Sequence, residues 1–442
     1  MSRLSRRTFL TGLAATATFP IAARALPSDP DVVVIGAGSA GLAAARSLMA
    51  QGKSVVVVEA ANRMGGRAFT ETETFGIPFD RGCSWITGPR NTAYVKMAKD
   101  WGYNLLDHRS PGEALFVGDR RANAQERKKI NRAYAGVEIA LGKAGQAGLD
   151  VPASSVIPAD LEYASIPQTW TGPMDWGFDF TEISTKDYWQ YGDVESNYLV
   201  KEGFGTLVSA MGSGLPVRLN AAAKRVDWSG QGVSVETDVG TLKAKACIVT
   251  VSTGVLGAGK IAFTPALPDW KLEAIANVPM GNFTKIALQF DGERFGLSPN
   301  AFLTYAVGDK LPAEACYFLT FPFNFNQMIG FVGGAFGAAL VAQGQKAAID
   351  FALGELVKLV GSRARTHFVK GYMTEWASDP WTLGSYAAAK PGHFDARAAL
   401  GRPLGNRVFF AGEAVAVPFV ALCSGAYMSG EKAAKAVTAA IG

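Results

Sequence analysis

Residues 31–60 read DVVVIGAGSAGLAAARSLMAQGKSVVVVEA, and the fold turns on this stretch. Val32 to Ile35 is a continuous β-branched run, as expected for a strand buried on both faces of a parallel sheet. Gly36, Gly38 and Gly41 follow in GxGxxG spacing, Leu42 to Met49 reads as helix, and Gly52 closes it. Val55 to Val58 is a second strand, ending in Glu59, which lies 18 residues past Gly41. Each position has a physical reason. Gly36 permits the tight turn. Gly38, with Ser39 and Ala40 at the helix start, lets the backbone approach a pyrophosphate, and Gly41 lets the helix lie close on the sheet. Glu59, followed by Ala60, accepts hydrogen bonds from ribose hydroxyls. With strand, turn, helix and acid in order, the unit reads as a dinucleotide-binding βαβ of an α/β protein.

The next residues, EAANRMGGRAFT (Glu59 to Thr70), add Arg63, Gly65, Gly66 and Arg67. Paired glycines before an arginine bring backbone and guanidinium to a second side of the pyrophosphate. GAGSAG followed by EAANRMGGR resembles the opening of the flavin-containing amine oxidase family, which includes monoamine and polyamine oxidases. The cofactor this resemblance implies is FAD. No second GxGxxG follows, which argues against a reductase fed by NAD(P)H.

The resemblance continues in separated blocks. FDRGCSWITG (Phe79 to Gly88) is similar to the family's segment beside the flavin ring and implies contacts from Gly82, Cys83, Ser84 and Trp85. Val226 matches a residue that touches the adenine end through its backbone. Gly412 and Glu413 match the ribityl or phosphate region, and Leu422 falls where the last helix points at the flavin. The implied fold is a Rossmann-like FAD-binding domain of discontinuous segments (29–90, 200–265 and 366–442). A mixed-sheet α+β substrate domain (91–199 and 266–365) is inserted between them. Within the latter, 121–147 reads as a charged helix, and Ala301 to Ala342 as aromatic strands with glycine turns.

Lys285 stands out in PMGNFTKIALQF (Pro279 to Phe290), where strand period puts Phe283, Lys285, Ala287 and Gln289 on one face. A lysine is seldom buried unpaired. In the family the matching lysine holds a water at the flavin N5 edge, so Lys285 is the expected catalytic residue, its charge stabilising superoxide as reduced flavin meets dioxygen. The implied reaction is hydride transfer from the carbon beside a neutral amine to the flavin, giving an iminium hydrolysed to a carbonyl. In EWASDPWTLGSYAAAKPGH (Glu375 to His393), Tyr386 matches one aromatic wall, while Trp376 and Trp381 suit either the site or a domain boundary. Two departures bear on substrate and cofactor. Ser385 replaces the cysteine that monoamine oxidases bond to the flavin, implying non-covalent FAD. Leu422 replaces the second aromatic wall, with Phe419 nearby to compensate, which points to a bulkier or polyamine-like amine. The stretch Trp170 to Trp189 suits a cavity rim or a packed loop equally.

At the start of the chain, SRRTFL (Ser5 to Leu10), an apolar run and ARA (Ala23 to Ala25) resemble a twin-arginine signal over residues 1–25. This predicts folded export by the twin-arginine translocase to the periplasm or beyond, without stable membrane insertion. Without the signal the chain carries 39 basic and 38 acidic residues, a balance that offers nothing to nucleic acid. Three histidines without ligand spacing predict no metal, and four scattered cysteines leave any disulfide pairing open. The electron acceptor is dioxygen or an electron-carrier protein. Alternatives are an L-amino-acid oxidase, which needs an arginine such as Arg81 or Arg90 on the substrate carboxylate, an FAD desaturase, and a non-catalytic envelope flavoprotein.

Overall fold

The computed structural model describes residues 29–192 and 194–442, so the expected signal at 1–25 lies outside the described residues. Val32–Ile35 and Val55–Val58 are fully buried strands, and Ser39–Ala50 is the helix between them. Val217–Arg218, Ala246–Val249 and Val408–Phe410 complete a five-stranded sheet, in the order 217–218, 55–58, 32–35, 246–249, 408–410. Every pairing in it is parallel, with Val33 opposite Val56 on one side and Cys247 on the other. Burial on both faces explains the unbroken valine runs. Parallel strands also present their carboxyl ends along one edge, where open α/β sheets bind ligands. Gly36, Glu59, Thr250 and Gly412 follow four of these strands and meet at a single cavity there.

Close backbone approach sets the helices on this sheet. A Cβ on Gly41 would lie 1.9 Å from the Gly36 carbonyl oxygen, and one on Gly430 would lie 2.1 Å from that of Ala40. The closing helix, Cys423–Ile441, thereby packs directly on the first helix.

A seven-stranded sheet of mixed orientation forms the second layer, in the order 368–373, 283–290, 327–333, 317–320, 301–305, 112–117, 120–121. Its neighbours are antiparallel except for 301–305 beside 112–117. Strand Phe368–Met373 belongs to this sheet, although the sequence division groups it with the FAD-binding segments. Ala124–Gln146 is the charged helix, closed at its start by an Asn123–Glu126 capping box. The sheet reading of 301–342 holds only to Gly333, because Gly334–Gln343 is helical. A run of glycine, alanine and other apolar residues has no period that separates the two states. The turn is made at Gly334, whose φ is +62°.

A fully buried ion pair ties the middle of the chain to its end. Asp187 accepts from Arg397 through both carboxylate oxygens at 2.6 Å, and also from the Ala389 amide at 2.8 Å. Arg397 in turn donates to the carbonyls of Ala387 and Ala414. Arg397 thus makes four hydrogen bonds and Asp187 accepts three, the kind of satisfaction under which a buried pair is tolerated.

Gly41→Ala should destabilise the protein by about 1–3 kcal/mol, because the helix must lift off the turn. Gly354→Ala should be neutral or stabilising by up to ~1 kcal/mol, since helix-interior glycine is costly and nothing lies within 4 Å of its added Cβ. Chemical-denaturation midpoints compare the two; equal midpoints would contradict the close-approach account.

Candidate active site

The cavity at the carboxyl edge of the parallel sheet has a volume of about 830 Å³ and extends to the seven-stranded sheet. Its nucleotide side begins at Glu59. One carboxylate oxygen accepts from the Ala37 amide at 2.6 Å and the other from the Ala61 amide at 2.8 Å, which fixes the carboxylate at the cavity wall. Burial raises the Glu59 pKa against those amides and Arg63. The first helix has no side-chain cap, so its first-turn N–H groups, at Ser39 and Ala40, stand at the wall as an anion site.

Gly38 tests whether the cavity fits a nucleotide. Its φ is −79°, and an added Cβ would stand 3.9 Å from the nearest protein atoms, at Gly65 and Gly66. Neither backbone strain nor protein contact therefore requires glycine there. A ligand phosphate lying against the backbone would, and the residues present fit one. Gly66 follows a different logic, with φ at +58°, and Gly65 donates its amide to Ala37, stapling the two glycine turns together.

The arginines are placed less simply than the sequence suggests. Arg63 lines the cavity, donates to the Gly66 carbonyl at 2.7 Å and stacks 3.9 Å over the Phe69 ring. Arg67 and Glu413, both expected to face the cofactor, are paired with each other at 2.7 Å. Arg67 also donates to the Ser385 carbonyl, and Glu413 accepts from the Ala387 amide. Both still line the cavity, as do Ala60 and Gly412.

Lys285 is 3% exposed, and its ammonium donates to the Asp80 carbonyl at 2.9 Å, the Ser84 hydroxyl at 2.6 Å and the Gly82 carbonyl. Three donors meet three oxygens of one loop. The lysine thus braces the Asp80–Ser84 segment while lining the cavity with Gly82, Cys83, Ser84 and Trp85. Burial pulls its pKa down to about 8, opposed by the Asp80 and Cys83 charges. Lys285 therefore remains largely a cation at neutral pH.

Beyond the lysine the cavity is aromatic. Phe283, on the same strand face, lies 6.0 Å from Tyr386 and 5.7 Å from Phe331 between ring centres. Trp170 meets Phe302 edge-on at 4.9 Å, and Trp85 donates its indole N–H to His108. The Tyr386 hydroxyl donates to the Asp175 carbonyl at 2.7 Å, joining this wall to the π-helical turn Trp170–Trp176. Leu422, Trp376 and Trp381 also line the cavity.

Two expected contacts are elsewhere. Val226 is fully buried in the core, its strand paired on both sides by Val235 and Phe263, so its backbone has no face left for a ligand. Ala222, Ala223 and Lys224, at the start of that strand, reach the cavity instead. Phe419 stays off the cavity and packs near Gly192, so it does not replace the missing wall at Leu422. Sequence reasoning missed Asp175, Phe302 and Phe331; the available signals were the aromatic and acidic richness of 170–189 and the aromatic richness of 301–342.

The family model for flavin containing amine oxidoreductases matches residues 39–170 and 181–438. The chain belongs to this family. Polyamine oxidase 4 of Oryza sativa subsp. japonica is 32% identical over 453 residues, covering 94% of this chain and 90% of that protein. Lysine-specific histone demethylase 2 of Homo sapiens is 25% identical, over 94% of this chain but 54% of the demethylase. Among solved structures, putrescine oxidase bound to putrescine has a TM-score of 0.76 at 22% identity, over 93% of this chain and 99% of that one. Cyclohexylamine oxidase from Brevibacterium oxydans IH-35A gives 0.74 at 23% identity, with the same coverage. At these identities the structural likeness is one of fold. As a member of the flavin containing amine oxidoreductases, the chain is an enzyme of a family that takes a flavin and oxidises amines.

Lys285→Met should leave flavin bound but slow its reoxidation at least roughly tenfold through loss of the charge. It should also cost ~1–3 kcal/mol, because the loop oxygens lose their donor. Stopped-flow mixing of photoreduced protein with dioxygen reads the rate; an unchanged rate would refute the role.

Proposed function

We propose that this chain is an exported oxidase of di- or polyamines that holds FAD non-covalently. The observation that carries the substrate class is Asp175. Its carboxylate is exposed within the cavity, and it has no hydrogen bond or ion pair among the described residues. The other acids lining the cavity, Glu59, Asp379 and Glu413, belong to the part built on the glycine turns and Arg63. The surrounding protein raises the Asp175 pKa to about 6, so at neutral pH it is an ionised carboxylate without a protein partner in an aromatic-lined cavity. A second ammonium on the substrate would supply that partner.

The reacting end meets different surroundings. Phe283, Phe331 and Tyr386 enclose it, exclude water and favour the neutral amine. When bound, the flavin supplies the hydride acceptor that turns the C–N bond into an imine, hydrolysed to a carbonyl, and passes its electrons to dioxygen with release of hydrogen peroxide. Lys285 supplies fixed positive charge at that end. Ser385 offers no thiol, and its hydroxyl is engaged by the Gly281 carbonyl and the Phe283 amide, which supports non-covalent binding. Export rests on the paired arginines, apolar run and small-residue site of residues 1–25.

The arginines do not favour an amino-acid substrate. Arg81 lies over the Tyr372 ring, Arg90 pairs with Glu195 on the outer surface, and Arg109 is held by both oxygens of Asp107. A substrate carboxylate would instead confront Asp175.

Anaerobic bleaching of the flavin by diamines, monoamines of equal length and L-amino acids tests this reading. Diamines should half-saturate at roughly tenfold lower concentration than monoamines, worth ~1.4 kcal/mol. That advantage should fade as pH drops through about 6 and Asp175 takes up a proton, and Asp175→Asn should abolish it. Equal response to all three classes, or a preference that survives Asp175→Asn, would overturn the proposal.

A further inference from the structure

We propose that His108 is a positioning residue of the cavity wall, holding the Trp85 indole in place through one neutral tautomer. The His108 ring is 2% exposed and stands behind the wall. Trp85 lines the cavity and directly follows Ser84, whose hydroxyl takes the Lys285 ammonium. That this wall shapes amine oxidation rests on the oxidase reading above.

The tautomer follows from the two partners of the ring. An indole N–H can only donate, and that of Trp85 lies 3.1 Å from Nδ1, so Nδ1 is the unprotonated nitrogen. A backbone carbonyl can only accept, and that of Asn300 lies 3.1 Å from Nε2, so Nε2 carries the proton. A proton added at Nδ1 would set donor against donor. Burial lowers the pKa of the ring as well, against the Asn300 carbonyl and the Asp107 charge. The backbone is held from both sides. The His108 amide donates to the Asn197 carbonyl at 2.8 Å, and the Asn197 side-chain amide donates to the His108 carbonyl at 3.0 Å. Phe302 meets the ring edge-on, 5.4 Å between centres. The acceptor of His108 is therefore aimed at one atom of the wall.

The consequence is chemical. The indole has a single polar atom, and it is engaged behind the wall, so Trp85 gives the cavity an apolar surface. Its ring stacks on Phe302 at 6.4 Å and lies 6.1 Å from Phe331, extending the aromatic lining. Without the acceptor, the N–H would stay buried and unpaired or turn into the cavity, where it would donate to a neutral amine. A turned indole would also pull on Ser84, its neighbour in the loop that Lys285 braces.

Two substitutions separate positioning from packing. His108→Asn keeps an acceptor near the place of Nδ1, and His108→Phe fills the space without one. Both leave the Asn300 carbonyl without its donor, so their difference isolates the Trp85 bond. With FAD content unchanged, the limiting rate of anaerobic flavin reduction by a diamine should fall roughly three- to tenfold in His108→Phe, the worth of one hydrogen bond, and stay within about twofold in His108→Asn. In a Trp85→Phe background, which has no indole N–H, His108→Phe should cost no further rate. Imidazole nitrogen NMR of the intact flavin-loaded protein, with His108 assigned by its absence in His108→Asn, should show a protonated Nε2 and a bare Nδ1. A protonated Nδ1, a full rate in His108→Phe, equal losses in both variants, or an undiminished loss on top of Trp85→Phe would overturn the proposal. An unaltered protein that no amine bleaches would count against the oxidase reading instead, and the tautomer would still decide this one.

Discussion

The ion pair between Arg67 and Glu413 is the constraint on which the rest of the site depends. It joins the glycine turn after the first βαβ unit to the end of the last parallel strand, 346 residues away, and Arg67 reaches on to the Ser385 carbonyl. Three chain segments are thereby held around one cavity. The Asp187–Arg397 pair secures the same region from behind, through Ala387, Ala389 and Ala414. Tyr386 lies between these two anchors. A charge pair with few other partners would be a poor investment in stability; here each member also satisfies backbone groups that would otherwise be buried without partners.

The cavity's electrostatics divide along its length. Helix N–H groups and Arg63 face one region together with Glu59, and Lys285 holds a cation at the boundary with the aromatic region. Asp175 places the opposite charge among the aromatic walls. Burial acts on these last two in opposite senses on the pH scale, lowering the lysine to about 8 and raising the aspartate to about 6. Both shifts disfavour the charged form, yet both leave the groups charged near neutrality. An amine with one neutral and one protonated nitrogen matches that pattern.

Much of the fold was legible because its signals are local. The valine runs, the glycine spacing and Glu59 each answer to a short-range backbone requirement, and the period of two already placed Phe283 beside Lys285. What escaped reading depended on distant packing. Phe302 and Phe331 reach the cavity from separate strands, and Asp175 sits in a π-helical turn whose period matches neither helix nor strand. Val226 shows the cost of working without register: its strand runs away from the cavity, and contact passes to residues two to four positions earlier. Arg67 and Glu413 line the cavity as expected, and their pairing with each other could not be read from residues 346 apart in sequence.

The most direct measurement is the cofactor content of the purified protein. If the glycine cradle, Glu59 and the lysine-braced loop enclose a flavin nucleotide, the protein should be yellow, with FAD near one per chain and fully released on acid denaturation. A colourless protein that takes up no FAD on reconstitution would contradict the account at its centre.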